Sequence, residues 1–256
     1  MDQLREMGFS DADVTFAVDA AHGDMDRAIE LLLDGNLAPL HKSGISERMT
    51  RLVLGISQYS FGDVDTSACT AIACTALPRL LACLDSKITV NIEILSALLL
   101  EGIETHRSLS TSLGLDHMGV EDIIEHMPHL KSNVTRVSDT IQKLLTTPDS
   151  FENLLQEVVH LPIDRSKHIG IIITKPPETI LLLIDPNPEG KLYLFDSHAR
   201  PQLGCEGAYF VGSSDHREVI RHFYALFPVP SVSNVQTMSL MEQMYYSFDA
   251  MAFQRK

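Results

Sequence analysis

The pattern of apolar residues changes once along the chain, and this change limits the fold more than any other feature. From about residue 68 to residue 159 the apolar positions recur at helical spacing, with breaks near Gly114, Gly119 and Pro128. Three short aliphatic runs follow, separated by turn sequences rich in proline. Such runs are typical of antiparallel hairpins, so we expect an α+β fold in which a helical part precedes an antiparallel sheet.

The predicted elements can be placed along the sequence. One helix is expected from Ala68 to Leu84 and another from His216 to Leu226, and the stretch from Asn91 to Val159 is predicted to be all helical. The segment after Pro230 has little pattern. The three strands are predicted at Ile169 to Thr174, Ile180 to Ile184 and Lys191 to Phe195.

Composition excludes several classes of protein. The chain has 256 residues with 45% hydrophobic residues, enough for one ordinary domain and a small one. A net charge of -14 with scattered lysine and arginine argues against nucleic acid as a partner. The longest apolar runs, such as Ile94 to Leu100, fall far short of the roughly 20 residues that a membrane helix needs. We expect a cytoplasmic or nuclear protein that binds neither nucleic acid nor membrane.

The four cysteines contain no CxxC pair, so a disulfide framework or a zinc site is not expected. We expect each cysteine to be either a buried core residue or a reactive thiol.

The first segment reads as three short helices. Ser10 and Asp24 are suitable N-caps, and Gly35 follows the last apolar positions as a stop signal. A stretch with Pro39 and Gly44 then has the composition of a linker. The predicted organisation is a helical module at 1–36, a linker at 37–48, a second domain at 49–228 and a C-terminal tail at 229–256.

Cys69 is the candidate nucleophile. It opens the predicted helix after a polar loop, and a helix N-terminus favours the thiolate that attacks a carbonyl. The oxyanion formed in the attack needs fixed donors, and Gln58 in the preceding loop supplies an amide within reach by sequence.

His198 is the candidate base among 11 histidines because it follows a predicted strand in the sequence Asp196-Ser197-His198. Residues two apart at a strand end point to the same side, so Asp196 would orient the imidazole toward a thiol.

Each of these residues also has a simpler interpretation. A cysteine in an alanine-rich helix is more often a small buried residue, which suits Cys74 and Cys83 well. Asp196 beside His198 is typical of a surface turn, and Gln58 alone carries little information. Their order along the chain, with helix and then sheet between them, shifts the balance toward catalysis.

The first 36 residues resemble the ubiquitin-associated (UBA) domain, a three-helix bundle. The resemblance lies in Met7-Gly8-Phe9 and in the segment from Asp24 to Asp34. Family members bind the hydrophobic patch of ubiquitin through these positions, so the resemblance implies a ubiquitin-binding surface. Its residues are Met7, Gly8, Phe9, Leu32 and Leu33, although the same side chains also suit the core of the module.

The second domain resembles the deubiquitinase of herpesvirus large tegument proteins, a group of papain-like cysteine peptidases. The resemblance lies in Gln58, Phe61-Gly62, the segment from Ser67 to Ala73, the strand pair and Leu194 to His198. It implies a papain-like fold without metal or organic cofactor, with Cys69 as nucleophile, His198 as base, Asp196 orienting it and Gln58 in the oxyanion hole.

The two resemblances point to one ligand, because a tethered ubiquitin-binding module raises the effective concentration of substrate for a ubiquitin protease. We therefore expect a deubiquitinating thiol hydrolase, acting as a monomer on ubiquitin or polyubiquitin. Three alternatives stay open: a catalytically inactive ubiquitin-binding adaptor, a protease for a ubiquitin-like modifier, and a general papain-type peptidase.

Overall fold

An antiparallel sheet of eight strands forms the centre of the region that the structure, a computed structural model, describes. That region comprises residues 49–62, 67–147, 149–187, 190–227, 229 and 238–256. The predicted UBA module at 1–36, with its five predicted ubiquitin-binding residues, and the predicted linker at 37–48 lie outside the described residues. The strands are β1 Met49–Val53, β2 Val134–Arg136, β3 Ile141–Leu144, β4 Ile169–Lys175, β5 Glu178–Ile184, β6 Leu192–Asp196, β7 Tyr209–Ser213 and β8 Ser247–Arg255.

The strand order in the sheet is β1-β7-β6-β5-β4-β8-β2, and β3 also pairs with β8. All of these pairs are antiparallel. Because β8 is nine residues long, it pairs with β4 along one edge and with both β2 and β3 along the other. The predicted hairpins β4–β5 and β5–β6 are confirmed.

The helices that surround the sheet follow the predicted pattern in part. Those at 69–85 and 216–226 match the predicted ones closely. In the described residues the helices are α1 Cys69–Asp85, α2 Ile92–Leu113, α3 Val120–His126, α4 Pro128–Asn133, α5 Ser150–Val159, α6 His216–Leu226 and α7 Leu240–Tyr246, with 3-10 helices at Gln58–Phe61 and Pro201–Leu203. None of the helices in this part of the chain has the length and apolar character that crossing a lipid bilayer demands.

The prediction that the stretch from Asn91 to Val159 is all helical is wrong at two places. Strands β2 and β3 lie within it, with three and four residues. Such short segments contain too few residues to display a strand period, and their pairing with β8 determines their conformation. The partner itself lies in the segment predicted as a C-terminal tail, where the sequence showed little pattern.

Two hydrophobic clusters lie on opposite faces of the sheet. Strand β4 contributes Ile172 to the cluster that holds α1 and α2, and Ile171 and Ile173 to the cluster that holds α5 and α6. Side chains alternate between faces along a strand, so a strand covered on both sides must be apolar at nearly every position. This explains the uninterrupted aliphatic runs in the sequence.

Helix α1 is buried along most of its length between the sheet and α2. A helix that is covered on all sides is apolar all round, and small side chains such as Ala73 and Ala76 allow its neighbours to approach closely. Gly102 of α2 lies very close to α1. A β-carbon there would lie 2.5 Å from the Cα atom of Ile72 and 2.8 Å from its Cγ1 atom.

Replacing Gly102 with alanine should therefore push α1 and α2 apart. We expect the free energy of unfolding to fall by about 1 to 3 kcal/mol, because overpacking outweighs the gain in helix propensity. Urea unfolding followed by circular dichroism measures the change. Gly55→Ala is the matched control, since a β-carbon at Gly55 has no neighbour within 4 Å. Equal stability of Gly102→Ala and wild type would contradict this account of the packing.

Candidate active site

Cys69 is the first residue of α1 and is 3% exposed. The backbone N–H groups at a helix start are not satisfied within the helix, and their partial positive charge stabilises a thiolate. The Sγ atom lies 3.8 Å from the carbonyl oxygen of Pro177, in the turn between β4 and β5. The nucleophile predicted from the sequence is thus placed at a helix N-terminus beneath a hairpin of the sheet.

His198 follows the end of β6 and is 2% exposed. Its Nδ1 atom donates to Oδ1 of Asp196 over 2.5 Å, and its backbone N–H donates to the same oxygen over 2.9 Å. His198 and Cys69 interact directly, and each shifts the pKa of the other. Since Asp196 occupies Nδ1, Nε2 is the nitrogen left for the thiol, as a general base requires. The structure brings together the three residues predicted as nucleophile, base and orienting carboxylate.

The protonation of this pair follows from its contacts. Burial alone would raise the pKa of Cys69, but hydrogen bonding and charge from His198, with hydrogen bonds from Thr179, lower it below the ordinary value. Burial would lower the pKa of His198, but its hydrogen bonds with Asp196 and Cys69 raise it to about 10. Both shifts favour a thiolate beside an imidazolium, the reactive form of a cysteine nucleophile.

Asp196 is 0% exposed, and both of its oxygens are hydrogen bonded. Oδ1 accepts the two bonds from His198, while Oδ2 accepts from Nε of Arg200 over 2.9 Å and from the hydroxyl of Tyr209 over 3.2 Å. Burial acts to raise the pKa of this carboxyl, but the bonds and charges of His198 and Arg200 lower it. Asp196 is therefore ionised and fixed in position.

Gln58 lies in the 3-10 helix before α1 and is 0% exposed. Its backbone N–H donates to the carbonyl of Ser197 over 3.1 Å, and its Oε1 atom accepts from the Ser197 hydroxyl over 2.9 Å. Ser197 lies between Asp196 and His198, so the position of Gln58 is tied to that of the base. With its oxygen held, the amide has its NH2 group as the donor end, which is the group an oxyanion needs.

The sequence did not identify several residues that complete the site. The Thr179 hydroxyl, at the start of β5, lies 2.9 Å from that of Thr70, next to the nucleophile. The Tyr59 ring, 50% exposed, lies 5.7 Å from the His198 ring between centroids. Arg200 lies two residues after His198, just beyond the motif that marked the base, and Tyr59 directly follows Gln58. Proximity to a predicted site residue was the available signal for these two, whereas Thr179 is distant in sequence from all of the predicted residues.

Cys74 and Cys205 are in less reactive surroundings. Cys74 is 0% exposed, and burial raises its pKa far above the ordinary value. Burial also raises the pKa of Cys205. Neither environment favours a thiolate, in contrast to that of Cys69.

No protein-family model matches the chain, and no curated protein sequence matches it. Among solved structures, the chain is similar to the ubiquitin-specific protease of murine cytomegalovirus tegument protein M48, determined in complex with a ubiquitin-based suicide substrate. That match has a TM-score of 0.56 and 15% identity, and it covers 81% of this chain and 87% of the viral one. The Pseudomonas avirulence protein AvrPphB matches with a TM-score of 0.43 and 11% identity over 75% of this chain and 94% of that one, a similarity too weak to support an argument.

The similarity to the viral protease establishes a shared fold. The predicted combination of helices with an antiparallel sheet is confirmed, and the viral protease has the same fold.

The reactivity of Cys69 tests the charge state of the site. Because its pKa lies below the ordinary value, we expect iodoacetamide to modify Cys69 faster than the half-buried Cys83 at pH 6, with the rate falling as pH drops through the pKa of Cys69. In His198→Ala the midpoint should move up toward the ordinary thiol value of about 8.5. Mass spectrometry of the two cysteine peptides measures both rates. A wild-type midpoint near the ordinary value, unchanged in His198→Ala, would refute the ion pair.

Proposed function

We propose that the chain is a deubiquitinating thiol hydrolase that cleaves the peptide or isopeptide bond after the C-terminal glycine of ubiquitin. The observation that carries the proposal is the buried chain of contacts from Cys69 through His198 to Asp196, with the nucleophile at a helix N-terminus. Ubiquitin is proposed as the substrate because the chain shares its fold with a viral ubiquitin-specific protease and because its first 36 residues resemble a UBA domain.

The reaction follows from the contacts of the site. The thiolate of Cys69 attacks the carbonyl carbon of the glycine, and the oxyanion accepts hydrogen bonds from the NH2 group of Gln58 and the backbone N–H of Cys69. The imidazolium of His198 gives its proton to the leaving amine, which leaves a thioester on Cys69. His198 then takes a proton from water, the hydroxide adds to the thioester, and collapse releases ubiquitin and restores the thiolate.

Asp196 serves both halves of the cycle. It holds the imidazole with Nδ1–H toward itself and stabilises the positive charge whenever His198 is protonated. Because the carboxylate is fixed by four hydrogen bonds, it has little freedom to reorient as the charge on His198 changes.

The UBA-like segment would bind ubiquitin separately from the catalytic domain. Tethering such a module to a protease raises the local concentration of substrate without new contacts at the scissile bond. Met7, Gly8, Phe9, Leu32 and Leu33 are the residues we propose for that surface.

A ubiquitin probe with a C-terminal electrophile tests the enzyme proposal. We expect wild type and Cys74→Ala to form a covalent adduct, Cys69→Ala to form none, and His198→Ala to react at least about 100-fold more slowly, the size expected for losing a general base. Adduct formation is read from intact-protein mass spectra. Binding without an adduct in any variant would indicate an inactive adaptor, and reaction with a ubiquitin-like probe alone would change the substrate.

Phe9→Ala in the full-length Cys69→Ala background tests the UBA-like surface. If Phe9 is an apolar anchor, its truncation should weaken one of two ubiquitin sites by about tenfold, as measured by calorimetric titration. Leu40→Ala, an apolar change in the predicted linker, is the control and should leave both sites intact. A single ubiquitin site in both proteins would reject the proposed role of the module.

A further inference from the structure

Arg200 makes further contacts besides the bond to Asp196 that the mechanism above uses. Its Nε atom donates to Oδ2 of Asp196 over 2.9 Å. Its two terminal nitrogens donate to the two oxygens of Glu178 over 3.0 Å and 2.7 Å, a bidentate pair. The side chain is 11% exposed, so these ionic bonds lie largely out of water. One guanidinium therefore joins the end of β6, which carries the triad carboxylate, to the start of β5.

The residues around the start of β5 also contact the nucleophile, Cys69. Glu178 follows Pro177, whose carbonyl lies against the Cys69 sulfur, and it precedes Thr179, which lowers the pKa of Cys69 and contacts the adjacent Thr70. Fixing Glu178 thus fixes the hairpin that contacts the thiol. Arg200 thus connects Asp196, which orients the base, with the hairpin that contacts the nucleophile.

Arg200 also affects the balance of charge in the site. In the reactive state the site holds three negative groups, namely the thiolate of Cys69 and the carboxylates of Asp196 and Glu178. The positive groups in contact with them are the imidazolium of His198 and the guanidinium of Arg200. Lys175 pairs with Glu178 across the β4–β5 hairpin, but its ammonium group donates to the Tyr245 carbonyl over 3.0 Å. Removal of Arg200 would leave one positive charge against three negative ones in a region of restricted solvent access, and protonation of the thiolate is the least costly way to relieve that imbalance.

The other groups around Asp196 do not replace this charge. Tyr209 donates a neutral hydroxyl to Oδ2, and His222 lies behind it with Nε2 3.0 Å from that hydroxyl. Burial lowers the pKa of His222 to about 4, so it is neutral when the protease site is charged. Arg51 is a further cation nearby, but its guanidinium is bonded to the Leu203 carbonyl and to Cys205.

We propose that Arg200 is a positioning residue for the thiol protease reaction. It fixes Asp196 and the β4–β5 hairpin relative to each other, and its positive charge offsets the negative charges around the thiolate–imidazolium pair. This inference rests on the proposed thiol chemistry of Cys69. Lysine cannot perform both tasks, because a single ammonium group cannot span Asp196 and Glu178 in the planar geometry that the guanidinium provides.

Three variants of the full chain separate the effects of charge and geometry. Arg200→Gln removes the charge, so the alkylation midpoint of Cys69 should rise by about one pH unit. For the same variant kcat on a ubiquitin amide should fall about tenfold or more, with KM within about threefold, because the contacts made by Arg200 do not bind substrate directly. Arg200→Lys keeps the charge, so its midpoint should stay near wild type while kcat still falls. Glu178→Gln removes a negative charge, so its midpoint should not rise.

An upward shift of the Cys69 midpoint in Arg200→Gln but not in Glu178→Gln distinguishes positioning and charge balance from simple loss of structure. A loosened site would return Cys69 toward an ordinary thiol in both variants, and equal upward shifts would overturn the proposal. So would an unchanged midpoint in Arg200→Gln, or wild-type kcat in Arg200→Lys. If thermal unfolding finds Arg200→Gln unfolded, the results for Arg200→Lys and Glu178→Gln decide.

The exposed ion pair between Arg79 and Glu101, 2.6 Å apart, provides matched controls. Arg79→Gln and Glu101→Gln make the same chemical changes away from the site and should leave the midpoint and kcat unchanged. Alkylation by iodoacetamide needs no ubiquitin, so its pH profile tests Arg200 separately from substrate specificity. Failure of wild type to react with any ubiquitin probe would reject the proposed function, whereas the midpoints of the variants would still decide the role of Arg200.

Discussion

The ionised carboxylate of Asp196 is buried completely, and the arrangement of the site depends on how that charge is stabilised. A buried carboxylate is tolerated only when its oxygens accept hydrogen bonds and an opposite charge lies close. Asp196 meets both conditions with His198 on one oxygen, and with Arg200 and Tyr209 on the other. The same bonds that stabilise the charge fix the imidazole, so the stability of the buried group and the geometry of the base have one cause.

The nucleophile is fixed by a different constraint, the packing of α1. Because the helix is covered by the sheet on one side and by α2 on another, its axis has little freedom to move. Small residues allow this close packing, among them Gly102, where α2 lies so near α1 that a β-carbon would clash with Ile72. Cys69 stands at the end of that helix, so its distance from the base is set by packing that extends well beyond the site.

The hairpin between β4 and β5 joins these two constraints. Pro177 and Thr179 of this hairpin lie against Cys69. Glu178, between them, binds the guanidinium of Arg200, which also donates to the carboxylate of Asp196. The ion pair with Arg200, the contacts with Cys69 and the strand pairing of β4 with β5 therefore all involve the same few residues of this hairpin. A site assembled this way is held in advance of substrate binding, which is what stabilisation of a developing oxyanion requires.

Much of this could be predicted from the sequence, because the signals involved are local. The helix that begins at Cys69 and the three aliphatic strands follow from burial periodicity and turn chemistry over a few residues. The spacing of Asp196 and His198 follows from the alternation of side chains at the end of a strand. The catalytic assignments needed more than spacing, since a cysteine in an alanine-rich helix and a histidine in a turn are each common without catalysis.

The sequence by itself determined the helix, the hairpins and the short motifs, and the tertiary structure decided which of them meet. Cys69 and Pro177 are 108 positions apart, and the ladder between β1 and β7 joins residues still more distant. No local pattern encodes such pairs, because they form only when burial of both sheet faces and completion of the backbone hydrogen bonds select one arrangement. For the same reason β8 carries little signal of its own, although it pairs with three strands, and the contact between Arg200 and Glu178 appears only when two strands lie side by side.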